Sequence, residues 1–525
     1  MRKSLACAAA AILIFSCAFS TTVRAQEPAK DTKPADSKSA TEPPAPPPKE
    51  ESSVTDHTIK IGGQTIPYKA TASTTLLKND QSEPTALIFS IAYTRGDVKD
   101  PSQRPIAFVY NGGPGSSSIW LHMGAFGPRR VVTANAEPTA PAPYSVTDNA
   151  DCLLDKTDLV FIDPVGTGFS HAVGKAKDKD FWGVDEDAKS LAQFISTYVS
   201  RNNRWNSSKF LIGESYGTFR SAALGNYLQS HDNMDLNGIV LMSSVLDLGT
   251  ISFNPGEDMT YVYYLPSYAA TAWYHKSLSN RPDDLSAFLA EVRKYAASDY
   301  VAALMKGSYL SAAEKSDVAK KLSQYTGLSE EYLIKANLRV KLPQFMIELQ
   351  RSKGLTTGRL DARFTGPTYD LLGEYANDDP QSTAVSGAFT AVFNAYVRED
   401  LKFGQDKSYE VLSEQANEEW NWKHATGRNF GFPGSPNVEG DLIQAMISNP
   451  HLRVEVENGF FDLATPFFAT EHTMDHLGLP ADIQSHIELK YYDAGHMMYL
   501  KDTDLTTLKN NIASFIDRTS KPQPN

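Results

Sequence analysis

The sequence predicts an α/β fold in which a buried, mixed and mostly parallel sheet is interrupted by a long, mainly helical insertion. Short apolar runs that each end at a tight loop are typical of strands in such a sheet. An amphipathic helical pattern lies between two of these runs, at residues 185–198. From about residue 250 to residue 444 helical patterns dominate, and strand-like runs then resume. This order indicates that the insertion interrupts one sheet-based core.

The N-terminus has the pattern of an export signal. A basic start, Met1-Arg2-Lys3, precedes a mostly apolar stretch that is too short to span a bilayer stably. Small residues at positions 23 and 25 predict cleavage after Ala25, with an uncleaved anchor or a lipid-anchored Cys17 as the alternatives. Residues 26–54 are rich in Pro, Lys, Glu, Ser and Ala, which predicts a disordered linker. We therefore expect an exported protein, periplasmic or secreted, without stable membrane insertion after cleavage.

Composition and charge exclude several classes of function. The 525 residues are 41% hydrophobic and 21% charged, as in ordinary globular proteins, and the formal net charge is −12. That charge disfavours a nucleic-acid partner or an anionic membrane surface. After cleavage at Ala25 only Cys152 remains, so no internal disulfide is expected.

The individual elements follow from periodicity and turn residues. Thr58–Tyr68, broken by two glycines, predicts a hairpin, and alternation across Ala86–Tyr93 predicts an edge strand. Buried strands are predicted at Pro105–Tyr110, Asp158–Ile162, Lys209–Ile212, Gly238–Met242, Leu452–Val456 and Ile487–Tyr492. Further helices are predicted at Leu285–Tyr295, Ala312–Tyr325, Leu342–Arg351 and Thr503–Asp517. The expected domains are a signal (1–25), a linker (26–54), a core in two parts (55–249 and 445–525) and a cap (250–444).

The pentapeptide Gly213-Glu214-Ser215-Tyr216-Gly217 is the most informative short motif. It follows an apolar run and precedes a segment that can continue as a helix. A strand, then G-x-S-x-G, then a helix is the context of a nucleophile elbow, where glycines permit a sharp turn. The motif alone is common, so a strand-to-helix turn with an idle serine is the alternative.

Two later loops supply the partners that a nucleophilic serine needs. Asp462 follows the strand ending at Val456, and His496 follows the strand ending at Tyr492. The order Ser, Asp, His, with each residue on a loop after a strand, is that of α/β-hydrolases. We therefore expect an α/β-hydrolase fold with Ser215 as nucleophile, His496 as base and Asp462 as its orienting carboxylate.

A glycine-rich segment, Asn111–Ser118, is a candidate for stabilising an oxyanion. Its glycines leave backbone N–H groups unobstructed beside a ligand. A phosphate loop is disfavoured because the lysine of G-x-x-x-x-G-K-[ST] is absent. His472 and His476 are spaced like a helical metal pair, but the chain lacks the H-E-x-x-H glutamate and a cysteine cluster, so no metal site is expected.

The chain resembles the serine carboxypeptidase family in four blocks that run in family order. They are Asn111–Ser118, Phe161–Ser170, Ile212–Gly217, and the loops of Asp462 and His496. The resemblance implies an α/β-hydrolase fold with an inserted helical cap, a peptide substrate and no cofactor. It also assigns the oxyanion hole to the N–H groups of Gly113 and Tyr216.

The resemblance further implies how a substrate is bound. Asn111 and Glu214, with Gly112 beside them, resemble the residues that hydrogen-bond the terminal carboxylate of a peptide. A glutamic acid donates to a carboxylate only when it is protonated, and burial raises its pKa. Activity on free C-termini should therefore weaken as the pH rises.

Three positions depart from the family pattern. Ala125 replaces a second glutamate of the carboxylate-binding set, for which Arg129 or Arg130 could substitute unless they are a solvated surface pair. Ser116 replaces the usual cysteine of the glycine loop. The histidine loop continues as Met497-Met498-Tyr499 rather than ending in proline.

The sequence thus predicts an exported serine carboxypeptidase-like hydrolase that acts through an acyl-enzyme on Ser215. One alternative is an esterase, amidase or aminopeptidase on the same triad, for which Ala125 is the motive. The other is a non-catalytic binding protein that kept the fold, which the presence of all three triad residues disfavours.

Overall fold

The structure is a computed structural model, and it describes residues 48–424 and 435–520. The predicted export signal, the cleavage site after Ala25 and most of the predicted linker lie outside the described residues. Among the described residues, no helix combines the length and the apolar character that crossing a bilayer would require.

Strands and helices cover most of the described chain. The strands are β1 Ser52–Ile61, β2 Gln64–Lys78, β3 Pro84–Arg95, β4 Ile106–Tyr110, β5 Arg129–Val131, β6 Val146–Asp148, β7 Asp158–Ile162, β8 His171–Ala172, β9 Lys209–Glu214, β10 Gly238–Met242, β11 Leu355–Thr357, β12 Thr365–Pro367, β13 Arg453–Gly459 and β14 Ile487–Tyr492. The α-helices are α1 Val184–Arg201, α2 Tyr216–His231, α3 Met259–Tyr274, α4 Leu285–Tyr295, α5 Val301–Lys306, α6 Ala312–Thr326, α7 Glu330–Lys335, α8 Leu342–Glu348, α9 Pro380–Glu399, α10 Glu414–Glu418, α11 Glu439–Ser448, α12 Phe467–Asp475, α13 Ala481–Gln484 and α14 Asp502–Thr519.

One large sheet organises the molecule. Its strand order is β1-β2-β3-β7-β4-β9-β10-β13-β14, with β8 paired to β3. The strands from β1 to β3 are antiparallel to their neighbours, whereas β7, β4, β9, β10, β13 and β14 are mutually parallel. The expected mixed, mostly parallel sheet is confirmed. Because parallel strands are covered on both faces by helices, β4, β7, β9 and β10 are buried along their whole length.

The prediction of an edge strand at Ala86–Tyr93 is wrong. These residues form the middle of β3, which pairs with β2 on one side and with β7 on the other. The pairing partner β7 lies more than sixty residues downstream in the sequence. Since strand order depends on such distant pairings, alternation within the segment could not reveal an interior position.

The long segment between β10 and β13 is mainly helical and has a hydrophobic core of its own. Most of that core comes from α3 to α8, with Tyr268 stacked on Phe345 at 3.9 Å between ring centroids. The aromatic side chains of α3 that the sequence clusters between residues 261 and 274 mostly fill this core. The antiparallel pair β11–β12 is the exception to the helical pattern, and it lies close to the catalytic loops.

Candidate active site

The parallel strands bring three separate loops to one edge of the sheet. The strands β9, β10, β13 and β14 are adjacent, and the carboxyl ends of parallel strands face the same way. Ser215 follows β9, Asp462 follows β13 and His496 follows β14. Residues that are more than 240 positions apart in the chain therefore meet at one site.

Ser215 sits in a sharp strand-to-helix turn. Its φ of 60° and ψ of −128° are rarely adopted by a residue with a side chain. Close packing leaves no room for side chains at the flanking glycines, because a Cβ on Gly213 would lie 2.2 Å from the oxygen of Gly217. The N–H of Ser215 donates to the carbonyl of Met242 in β10 at 3.0 Å. The turn is thus a strained nucleophile elbow held by its neighbours, as expected from G-x-S-x-G.

His496 and Asp462 form a buried hydrogen-bonded pair. His496 Nδ1 lies 2.8 Å from Asp462 Oδ2, and the carboxylate also accepts from Thr465 Oγ1 at 2.7 Å. The N–H groups of Ala464 and Thr465 donate to Asp462 Oδ1. With Nδ1 of His496 hydrogen-bonded to this carboxyl group, Nε2 is the ring nitrogen that can take a proton.

The environment of His496 also tunes its basicity. Burial lowers the pKa of His496, but the charge of Asp462 and its hydrogen bond raise it more, so the pKa lies above the usual value. Ser215 and His496 line the same cavity, although no hydrogen bond joins Ser215 Oγ to His496 among the described residues. In ligand-free hydrolases this hydrogen bond is often long and closes only around the substrate.

The glycine-rich loop lies directly against the elbow. A Cβ on Gly112 would lie 2.4 Å from the backbone nitrogen of Tyr216, so only glycine fits there. Gly113 follows with a φ of 103°, a conformation that favours glycine. Tyr216 opens α2, where the first N–H groups have no partner within the helix. Gly113 lines the same cavity as Ser215, and Tyr216 directly follows Ser215 in the chain; the assignment of their N–H groups to an oxyanion hole stays a prediction.

Asn111 and Glu214 are joined by a buried hydrogen bond. Asn111 Nδ2 donates to Glu214 Oε1 at 2.8 Å, while Asn111 Oδ1 accepts from the N–H of Leu121 at 3.0 Å. The backbone oxygen of Asn111 accepts from Arg220, whose charge is balanced by buried Asp187. These contacts fix the orientation of the Asn111 amide. They use Oε1 of Glu214 and leave its other oxygen, Oε2, without a bond to Asn111.

Glu214 is set up to hold a proton near neutrality. Burial raises its pKa to about 7, with Asp462 acting in the same direction. The charge of His496, the nearby hydroxyl of Tyr499 and the hydrogen bond from Asn111 lower the pKa of Glu214 and partly offset that effect. Glu214 Oε2 is buried without a well-formed hydrogen bond in the described structure. Below about pH 7 it is therefore a neutral acid that can donate to an anion.

Tyr499 is a residue that the sequence analysis singled out only as a departure from the family pattern. Its side chain is 1% exposed, and its hydroxyl lies close enough to Glu214 and Asn111 to interact with both. Its ring lies against Gly124, next to Ala125. Tyr499 therefore packs against the residue that precedes Ala125, although the two segments are far apart in the sequence.

Ser215, His496 and Glu214 share a cavity of about 280 Å³. Asn111, Gly112, Gly113 and Ser116 also line it, so the structure brings together most of the predicted site. The sequence analysis missed the cavity residues that come from the insertion and from the segment just after the glycine loop, because no motif marks them. They include Trp120, Arg359, Leu360, Gln381, Val385 and Leu412.

A short segment of the insertion, residues 359–363, clamps the two catalytic loops together; we call it the clamp. The N–H of His496 donates to the carbonyl of Leu360 at 2.7 Å, and the N–H of Leu463 donates to that of Arg359 at 3.0 Å. Asp361 is ion-paired with Arg363 and accepts from the N–H of Gly495. The clamp thus touches both the aspartate loop and the histidine loop.

The suggestion that Arg129 or Arg130 takes over the role of the missing glutamate is wrong. Arg129 is paired with Asp148 and Arg130 with Asp502, and neither residue lines the cavity. Both arginines lie in β5, whose register with β6 places Arg129 opposite Asp148, while Arg130 reaches Asp502 at the start of α14. His472 and His476 stack on each other, and the described residues contain no cluster of three or more potential metal ligands.

Comparison with known proteins places these features in context. A family model described as serine carboxypeptidase matches residues 67–511. Two proteins of Arabidopsis thaliana, serine carboxypeptidase-like 5 and serine carboxypeptidase-like 46, are each 27% identical, over 161 and 179 residues. These matches cover 28% and 33% of this chain but only 35% of each plant protein. The chain thus matches about a third of the length of those relatives.

A solved structure gives a likeness over most of the chain. Kex1(delta)p, a prohormone-processing carboxypeptidase from Saccharomyces cerevisiae, superposes with a TM-score of 0.53 at 18% sequence identity. The match covers 86% of this chain and 91% of the yeast chain. At this level of identity the likeness concerns the fold, and it confirms the predicted α/β-hydrolase architecture.

Proposed function

We propose that this chain, which belongs to the serine carboxypeptidase family, removes C-terminal residues from peptides through an acyl-enzyme formed on Ser215. The observation that carries the proposal is the shared cavity in which Ser215, the His496–Asp462 pair and the hydrogen-bonded Asn111–Glu214 pair meet. The first three residues supply nucleophile, base and orienting carboxylate. The last two supply donors for the carboxylate that distinguishes a peptide C-terminus.

The chemistry follows from the positions of these groups. Ser215 Oγ attacks the carbonyl carbon of the last peptide bond while His496 Nε2 takes its proton. The N–H groups of Gly113 and Tyr216 stabilise the oxyanion of the tetrahedral intermediate. His496 then passes the proton to the leaving amino group, and an acyl-enzyme remains. A water molecule, deprotonated by His496, attacks the acyl carbon and releases the shortened peptide.

The test combines labelling with product analysis. Folded wild-type protein should react with a fluorophosphonate, and Ser215→Ala should lose the label because the nucleophilic oxygen is gone. Incubation with a mixed peptide pool should release C-terminal residues one at a time. Internal cuts, or a wild-type protein that resists the reagent, would contradict the proposal.

Ala125 keeps a second candidate open, namely a hydrolase that does not require a free C-terminus. Ala125 is completely buried and brings no second carboxyl group to the site. Rates on a peptide acid and on the matching C-terminal amide separate the two functions. A carboxypeptidase prefers the acid strongly, whereas an esterase or amidase cleaves both at similar rates.

The compartment and the domain organisation are proposals of the same kind. We propose that residues 1–25 direct export and that residues 250–444 cap the core formed by residues 52–249 and 445–525. The linker predicted for residues 26–54 must end before β1, which begins at Ser52. The N-terminal pattern and the contribution of the insertion to the cavity support this view. Mass spectrometry of the protein recovered from its native host tests the first point, since cleavage should leave Gln26 as the N-terminal residue.

A further inference from the structure

Arg359 is the one permanently cationic side chain among the described residues that line the cavity. It is exposed, and its guanidinium has no ion pair or hydrogen bond to any described residue. Most of the other arginines near the sheet edge are paired, as Arg363 is with Asp361 and Arg220 with Asp187. An unpaired guanidinium in a substrate cavity is free to bind an anion.

The position of Arg359 is fixed by its backbone. Its N–H donates to Asp379 at the start of α9, and its carbonyl accepts from Leu463. The next residue, Leu360, is hydrogen-bonded to the backbone of His496. The clamp therefore presents this cation in a constant relation to both catalytic loops, and its charge lowers the pKa of His496 against the effect of Asp462.

The surroundings strengthen an interaction with an anion. Trp120, Val385, Leu412 and Met497 line the same cavity with apolar surface, and low polarity strengthens charge–charge attraction. The acidic group that shares the cavity is Glu214, which is held near its protonated form and is hydrogen-bonded to Asn111. Arg359 thus has no resident counter-ion in the cavity.

We propose that Arg359 forms an anion subsite that binds an acidic side chain on a residue flanking the scissile bond. This inference rests on the proposed function, in which Asn111 and Glu214 bind the terminal carboxylate. A planar guanidinium can hold a second carboxylate through two parallel N–H donors. The enzyme therefore selects peptides that end in an acidic residue or carry one next to the end.

The experiment separates the two carboxylates of such a substrate. N-blocked peptides ending Ala-Asp and Asp-Ala are compared with Ala-Asn and Asn-Ala, each as the free acid and as the C-terminal amide. Wild-type protein should cleave the better Asp peptide about tenfold faster than its Asn counterpart in kcat/KM, as one charge-assisted hydrogen bond implies. Arg359→Gln should abolish that ratio while leaving the ratio of acid to amide unchanged.

Two variants complete the design. Arg359→Lys should retain only part of the preference, because an ammonium lacks the planar fork. Lys353→Gln removes another exposed cation six positions away that does not line the cavity, and it should behave as wild type.

The possible failures are distinguishable. Absence of an Asp preference in the wild type overturns the subsite. Loss of rate on all acids, Asp and Asn alike, in Arg359→Gln also overturns it, because the guanidinium would then serve the terminal carboxylate. If the wild type hydrolyses none of the peptides, the proposed function itself fails.

Discussion

Ser215 and Glu214 are adjacent in the chain, but one must be accessible and the other must be buried. Ser215 must be accessible to substrate, and a φ of 60° keeps its side chain at the mouth of the cavity at a conformational cost of about 1–3 kcal/mol. Glu214 must be buried, since burial is the largest of the effects that raise its pKa to about 7. The change from strand to helix at this point separates the two side chains and lets adjacent residues occupy different environments.

The first residue-scale prediction concerns pH. For a peptide acid, kcat/KM should rise as His496 loses its proton and fall above about pH 7 as Glu214 loses its own. For the C-terminal amide only the rise should remain, because no carboxylate has to be bound. Glu214→Gln should remove the alkaline fall for the acid, since an amide donates at every pH. An alkaline fall that persists in Glu214→Gln would assign the effect to another group.

A substitution at Tyr499 gives a second test of whether the proton on Glu214 causes the alkaline fall. The hydroxyl of Tyr499 lies close to the Glu214 carboxyl, where it favours the ionised form and so lowers the pKa of Glu214. Tyr499→Phe removes this interaction and should therefore raise the pKa of Glu214 and move the alkaline fall to higher pH. Tyr300→Phe removes a buried phenol that donates to Leu338 in the insertion, and it should leave the profile unchanged. A downward shift in Tyr499→Phe would show that the sign is wrong.

At the scale of elements, the clamp is the structure that links the insertion to catalysis. It contributes backbone acceptors to the aspartate and histidine loops and also carries Arg359. These contacts add to the hydrogen bonds that the two loops make with each other, such as the one from the N–H of Phe461 to the carbonyl of Ala494 at 3.0 Å. The insertion is therefore part of the catalytic geometry as well as a cover for the cavity.

Gly495 gives the prediction for this element. A Cβ there would lie 2.5 Å from Asp361 Cα and 2.4 Å from its Cβ, so Gly495→Ala must push the histidine loop off the clamp. A displacement of about 1 Å typically costs about a hundredfold in rate. We expect such a loss in the rate of inactivation by a fluorophosphonate, while the far-ultraviolet circular dichroism stays that of wild type.

Gly440→Ala is the matched control for this variant. A Cβ at Gly440, in α11, meets no atom within 4 Å, so the labelling rate should remain that of wild type. If Gly495→Ala reacts as fast as wild type, the clamp does not set the position of His496.

The sequence could predict what local pattern encodes. The pattern of apolar residues on one face predicts the helix Leu285–Tyr295 with its observed bounds, and the structure shows that Asp284 caps its start. The elbow at Ser215 was recognisable because its glycines and neighbouring elements are contiguous. The clamp carries no motif, and the meeting of Tyr499 with Gly124 depends on packing between segments 375 residues apart. Such contacts arise from the tertiary fold, which residue spacing does not encode.

At the scale of the whole molecule, the parallel strands of the sheet bring the catalytic loops together and also carry two buried acidic residues. Glu455 and Glu457 lie on β13, the strand that leads to Asp462, and both are buried. Glu457 accepts from Tyr492 and Glu455 accepts from Arg518, but each keeps one buried oxygen without a partner. A proton shared between the two carboxyl groups would satisfy both oxygens.

This buried pair should make the stability of the protein depend on pH in an unusual direction. Burial, and then the charge of Glu455, holds the pKa of Glu457 well above its usual range. In the unfolded chain the same group ionises at about pH 4.3. Above that pH, ionisation of this group lowers the free energy of the unfolded state but not that of the folded state, where the group keeps its proton. The free energy of unfolding therefore falls by about 1.4 kcal/mol per pH unit until the folded-state pKa is reached.

Glu457→Gln removes this penalty while keeping an oxygen that accepts from Tyr492 and adding donors that reach Glu455. The variant should match wild type in thermal unfolding near pH 4.5 and exceed it increasingly between pH 5.5 and 8, by about 1–3 kcal/mol. Glu488→Gln, on neighbouring β14, is the control of opposite sign. Burial raises the pKa of Glu488, but the combined effect of Lys490 and Arg518 is larger and leaves the pKa below its usual value. The ionised carboxylate therefore stabilises the fold, and Glu488→Gln should not increase stability. A stability gain in Glu457→Gln that is the same at every pH would mean that better packing, rather than a held proton, is its cause.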